Sequence, residues 1–112
     1  MITVTDEVLE RMVEAIVREV DPEEIWLFGS RARGGEVRPD SDVDLLIIER
    51  EPFGPKRSRW KELTRLYDLA ARFRVPTDFL VYAADEVEDW RQTINHVVAW
   101  ALREGKLLYA RS

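Results

Sequence analysis

The stretch WLFGSRARGGEVRPDSDVDLLII, Trp26 to Ile48, decides how this chain folds. Ile25 to Phe28 is a short apolar run rich in β-formers, stopped by Gly29-Ser30, which reads as a strand followed by a turn. Ser30 is a good N-cap, so a short helix from Arg31 to Gly34 is expected; Gly34-Gly35 and Pro39 then mark a loop. Asp42 to Glu49 is a second strand, with Leu45, Leu46, Ile47 and Ile48 consecutive. A continuous apolar strand is buried on both faces and belongs at the centre of a sheet that carries helices.

The flanks extend this pattern. Residues 6–20 read as a helix: Thr5 can cap it, Asp6 and Glu7 sit at the positive end of its dipole, and Leu9, Met12, Val13, Ile16, Val17 and Val20 recur at helical spacing. Asp21-Pro22 ends it. Arg50 to Arg57 carries two prolines and a glycine and reads as an exposed loop. Ser58 can cap a helix running to Phe73, with Trp60, Leu63, Leu66, Tyr67, Ala70 and Phe73 on one side. Val75 to Tyr82 is a third strand. Asp85 to Glu104 is a long helix with Val87, Trp90, Ile94, Val97, Val98 and Ala101 as its apolar stripe, and Gly105 stands at the C-cap position. Lys106 to Tyr109 is a short tail that could add a strand. The order is α-β-α-β-α-β-α, an α/β fold with a small mixed sheet flanked by helices.

Bulk properties narrow the function. At 112 residues the expectation is a single domain over 1–112. The formal charge is 17 − 22 = −5, so general DNA binding through phosphate neutralisation is not expected. The chain has no cysteine, which excludes disulfides, thiolate nucleophiles and Cys-ligated zinc. No basic segment followed by an apolar run opens it, and no apolar stretch approaches about 18 residues, so a cytoplasmic protein with no membrane span is expected.

Asp42 and Asp44 are two apart on a strand, so their side chains share a face. Carboxylates this close repel, and hard oxygen donors suit Mg²⁺ or Mn²⁺, commonly as a pair of ions about 3.5–4 Å apart. Asp78 is the one acid inside the third apolar strand, where an unpaired charge is costly; a neighbouring strand would bring it to the same cluster. Gly29 lets backbone approach a ligand closely. The helix start after Ser30 offers free N–H groups to phosphate, with Arg31 and Arg33 adding charge. A phosphate cradle beside metal-binding carboxylates is equipment for nucleotidyl transfer.

These residues carry a resemblance. GSRARGGEVRPDSDVDLLI is similar to the signature of the DNA-polymerase-β-like nucleotidyltransferase superfamily: Gly-Ser, a short gap, Asp-x-Asp, and a third acid on a later strand. The Gly-Ser-Arg-Ala-Arg-Gly form and the small size resemble the minimal nucleotidyltransferase (MNT) antitoxins of HEPN–MNT toxin–antitoxin pairs. The resemblance implies a polymerase-β-like core, triphosphate binding at Gly29 and Ser30 with Arg31 nearby, and two Mg²⁺ ions (or Mn²⁺) on Asp42, Asp44 and Asp78. It also implies transfer of AMP from ATP to a tyrosine of a cognate HEPN RNase toxin. After Asp78 the sequence has room for one helix and a tail, so a partner protein, or a second copy of this chain, is expected to bring the hydroxyl. Two further readings stay open: neutralisation by binding alone, and transfer to a small molecule or an RNA end.

Taken singly, the same residues have plainer readings. Gly29-Ser30 could be only a turn and cap, and Asp42 only a strand end. Asp40 is assigned to the loop, His96 to a structural or exposed helix position, and PKRSRW (Pro55 to Trp60) to a solvated loop. Trp90 and Trp60 are expected to pack, and Trp100 to offer an exposed contact surface.

Overall fold

A computed structural model describes residues 6–29, 42–90 and 97–111. The elements are α1 (Asp6–Val20), β1 (Glu24–Phe28), β2 (Val43–Glu49), α2 (Arg59–Arg72), β3 (Thr77–Ala83), α3 (Ala84–Trp90), α4 (Val97–Glu104) and β4 (Lys106–Ala110). They form a mixed α/β structure around one four-stranded sheet of order β3-β2-β1-β4. β1 is antiparallel to both β2 and β4, whereas β2 and β3 are parallel and joined through α2.

The expected centre of the sheet is where the apolar run placed it. From Leu45 to Glu49 every residue of β2 is buried. Alternate residues serve opposite layers. Val43, Leu45 and Ile47, with Phe79 and Val81, pack under α1 and α2 against Met12, Ile16, Leu66 and Leu69. Leu46 and Ile48, with Leu80 and Tyr82, face α3 and α4 through Val87, Val98 and Ala101. Each face of the sheet thus has its own helical layer.

Several boundaries follow local chemistry. α1 spans the stretch expected of it. Ser58 caps α2, its Oγ accepting from the Lys61 N–H at 3.3 Å. The tail is a full strand, β4, with a register irregularity against β1 between Ile25 and Trp26. Gly105 admits β4 beside α4, because a Cβ there would stand 2.9 Å from the Leu27 carbonyl oxygen.

Some expectations need correction or fall elsewhere. The helix expected over Asp85 to Glu104 is described as α3 and α4; residues 91–96, His96 among them, lie outside the described residues. So do Thr5, Ser30, Arg31, Arg33, Asp40 and the expected helix from Arg31 to Gly34. Trp60 does not pack: it is 77% exposed. The buried side of α2 centres on Leu66, Leu69 and Ala70, and at about 100° per residue Trp60 and Tyr67 both fall on its shoulder. Trp90 is likewise exposed, while Trp100, expected outside, is half-buried and meets Phe28 edge-on at 5.8 Å.

Candidate active site

The parallel register of β2 and β3 pairs Val43 with Thr77 and Asp44 with Asp78. The strands are tied at this end by the Val43 N–H, which donates to the Pro76 carbonyl at 2.9 Å. Asp44 and Asp78 therefore stand at one level of the sheet, both on the layer of Leu46, Ile48, Leu80 and Tyr82. Asp42 precedes β2 by one residue and is exposed, as is Asp78; Asp44 is half-buried.

The third strand of this corner is β1. Phe28 is the register partner of Asp44, so Gly29 leaves the sheet beside the Asp44 carboxylate. Its φ is +76°, and a Cβ built there would collide with Oδ2 of Asp44. Glycine meets both the left-handed backbone and this contact without strain. Gly29 and Asp44 thus share one tight contact, which their spacing in the sequence does not reveal.

The electrostatics agree with a shared site. The Asp44 carboxyl is pushed above its ordinary value, first by burial, then by the negative charges of Asp78 and Asp42. Two of the carboxylates named from the sequence thus act on the third. Among the described residues no three acidic or histidine side chains already close around a metal position. The donor chemistry nevertheless fits a hard divalent cation: three carboxylates at one end of a sheet, mutually repelling, with an open side. Asp42, Asp44 and Asp78 are the residues that could hold it. Gly29 is on the same corner, and Ser30 and Arg31 lie outside the described residues.

Away from this corner, the structure organises charges that periodicity could not find. Arg57 does not sit in a solvated loop. It bonds Glu49 and donates to Glu62 at 3.0 Å and to the Glu51 carbonyl at 2.8 Å, lying over the Phe53 ring. Glu49 is only 3% exposed, and burial followed by the neighbouring Glu62 pushes its carboxyl up to about 8. Arg59 donates to the Val81 carbonyl at 2.7 Å and pairs with Glu86. The signal available was the density of arginines in PKRSRW, but not which acids they meet. A groove of about 780 Å³ between α1 and β4, lined by Leu9, Val13, Val17, Leu107, Leu108 and Tyr109, contains none of the candidate carboxylates.

The mixed sheet with a helical layer on each face fits a nucleotidyltransferase fold, and the chain matches the nucleotidyltransferase domain family over residues 9–99. It belongs to that family. A Sulfolobus solfataricus protein assigned as a nucleotidyltransferase, solved at 1.40 Å resolution, superimposes with a TM-score of 0.56 at 26% identity, over 94% of this chain and 79% of that one. A chain of a toxin–antitoxin complex solved with AMP-PNP gives 0.57 at 21% identity, over 92% and 74%. A chain from the tri-AMPylated Shewanella oneidensis HEPN toxin in complex with its MNT antitoxin gives 0.52 at 18%, over 96% and 74%. These last two are likenesses of fold. No curated protein matches the chain. Among the described residues no helix is long and apolar enough to cross a membrane.

Proposed function

We propose that this chain is a single-domain, cytoplasmic, Mg²⁺-dependent adenylyltransferase that moves AMP from ATP to a hydroxyl, a tyrosine in the first instance, of a HEPN-type toxin, and so acts as its antitoxin. The observation that carries the reading is the convergence of Gly29, Asp44 and Asp78 at one corner of the sheet. The fold likeness to chains of toxin–antitoxin complexes, one with a nucleotide analogue and one with an AMPylated toxin, supports the choice of acceptor.

Each residue has a part that its position allows. Gly29 brings backbone close to the Asp44 carboxylate, which stands where a side chain would otherwise be, so the turn toward the phosphates starts at the cation corner. Ser30 and Arg31 follow directly in sequence and supply a hydroxyl, an N–H and a positive charge for the phosphates. Asp42, Asp44 and Asp78 would hold Mg²⁺, or Mn²⁺ in its place. When bound, the ions supply charge neutralisation at the α-phosphorus and a lowered pKa for the acceptor hydroxyl. The acceptor oxygen forms a bond to the α-phosphorus as the bond to the α,β-bridging oxygen breaks. Pyrophosphate leaves, and the hydroxyl proton passes to solvent.

The test is purified protein, a HEPN protein encoded beside it, ATP and Mg²⁺, followed by intact-mass measurement. Mass added to the HEPN protein in AMP units, lost in Asp44→Asn, is the expected result. Binding of the two proteins without any adduct overturns it and leaves neutralisation by binding. If Asp44→Asn still protects cells fully, binding is again sufficient.

A further inference from the structure

β3 is an edge strand: β2 covers one side, and its other side needs partners for the outward backbone groups. Two side chains of α2 supply them. Arg59 donates to the Val81 carbonyl, and the hydroxyl of Tyr67 accepts the Phe79 N–H at 3.1 Å. Tyr67 also packs edge-on against the Phe79 ring at 5.1 Å, yet remains 43% exposed, so its ring is not placed by burial alone.

The position of that second bond matters. Phe79 directly follows Asp78 and is buried under α2, while Asp78 projects to the opposite layer. On the other side of Asp78, Thr77 is held by its own hydroxyl, which donates to the Val75 carbonyl at 2.9 Å. The peptide unit after Asp78 is therefore held by the Tyr67 hydroxyl, while the Thr77 hydroxyl ties its residue back to the Val75–Pro76 peptide. Without Tyr67, the outward N–H after Asp78 has no protein partner at the free edge, and the strand is held there by β2 alone.

We infer that Tyr67 is a positioning residue for Asp78: by accepting the Phe79 N–H it fixes the edge of β3 at the level where Asp78 meets Asp44, and so sets the affinity of the carboxylate corner for a divalent cation. This rests on the metal-binding reading given above. Tyr67 touches neither the cation nor a substrate; it acts through the backbone of its neighbour.

The experiment is Mn²⁺ titration of the intact chain, read by electron paramagnetic resonance, with thermal unfolding measured in parallel. Wild type, Asp78→Asn, Tyr67→Phe and Arg59→Met are compared. Tyr67→Phe keeps the ring and removes the acceptor; it is expected to weaken Mn²⁺ binding about threefold, the scale of one ordinary hydrogen bond. Arg59→Met opens the same edge at Val81, three residues beyond Asp78, and is expected to lower the unfolding midpoint while leaving Mn²⁺ affinity unchanged. Equal Mn²⁺ affinity in wild type and Tyr67→Phe, with Asp78→Asn weakened, overturns the role of Tyr67 alone. Equal weakening in Tyr67→Phe and Arg59→Met also overturns it, since general loosening of the edge then explains both. Equal affinity in wild type and Asp78→Asn overturns the metal-binding reading itself.

Discussion

Asp44 of β2 and Asp78 of β3 are register partners in the parallel half of the sheet, with Asp42 close enough to add to the negative potential at Asp44. On the function proposed above these carboxylates would hold a cation, and the fold carries like charges that do not help it fold.

The two effects separate in Asp44→Asn. Burial, Asp78 and Asp42 raise the Asp44 carboxyl above its ordinary value, so the folded chain tolerates the ionised form less well than the unfolded chain does. Ionised Asp44 therefore costs stability at neutral pH. The cost is absent below the carboxyl's ordinary range and grows as pH rises through the raised value. Asp44→Asn is expected to abolish nucleotidyl transfer while the unfolding midpoint at pH 7 stays level or rises. Transfer assays and thermal unfolding on one preparation decide this, and a midpoint lowered by many degrees would refute it.

Gly29→Ala should fail for the opposite reason. The backbone at φ +76° disfavours an L-residue, and the added Cβ meets Oδ2 of Asp44. The left-handed conformation alone costs about 1–2 kcal/mol. The variant is expected to lose roughly that much in denaturant unfolding and to lose transfer activity as Asp44 is displaced. A variant with wild-type stability and activity would show that neither constraint holds.

The cluster of Glu49, Glu62 and Arg57 makes a separate pH prediction at the far end of β2. The Glu49 carboxyl is pushed from its ordinary value up to about 8, first by burial and then by Glu62, against the pull of Arg57. A raised acid binds its proton in the folded state where the unfolded chain has released it. Its contribution to stability is complete below about 4.5, the ordinary value, and is lost as pH climbs to about 8. Denaturant unfolding across pH 5 to 9 should show wild type losing stability with rising pH, and Glu49→Gln should flatten that slope. Removing the cation instead, in Arg57→Met, takes away the one group that lowers the Glu49 carboxyl and should make the loss of stability with rising pH steeper than in wild type. A pH profile of Glu49→Gln parallel to wild type would rule the assignment out.

Much of the frame was legible in the sequence because periodicity reports burial. The six apolar positions of residues 6–20 define α1, and the unbroken run Leu45 to Ile48 announces the centre of the sheet. The candidate carboxylates stood out for a related reason, since an acid inside an apolar run, as at Asp78, needs explaining. What escaped was reach across the fold. Tyr67 sits twelve residues from its partner Phe79, and Arg59 twenty-seven from Glu86. No helical or strand period links such pairs. The same limit misplaced Trp60, which keeps the three- and four-residue spacing of α2 yet falls on its shoulder. It also left Glu49 as an ordinary strand end, although the closure of Arg57 over it makes it a buried acid.

Ligand-linked stability gives the last test, and it does not need the acceptor protein. A ligand that binds only the folded chain stabilises it by about 2.7 kcal/mol at a concentration a hundredfold above its dissociation constant. For a chain of this length that amounts to a rise of roughly ten degrees in the unfolding midpoint. A non-hydrolysable ATP analogue with Mg²⁺ is expected to raise the midpoint of wild type, and EDTA to cancel most of the rise. Asp44→Asn and Asp78→Asn should lose the Mg²⁺-dependent part, because the corner then lacks one of its carboxylates. Arg57→Met, remote at the other end of β2, should keep the full increment from its lowered starting point. If all four chains respond alike, the nucleotide binds somewhere other than the corner of Gly29, Asp44 and Asp78.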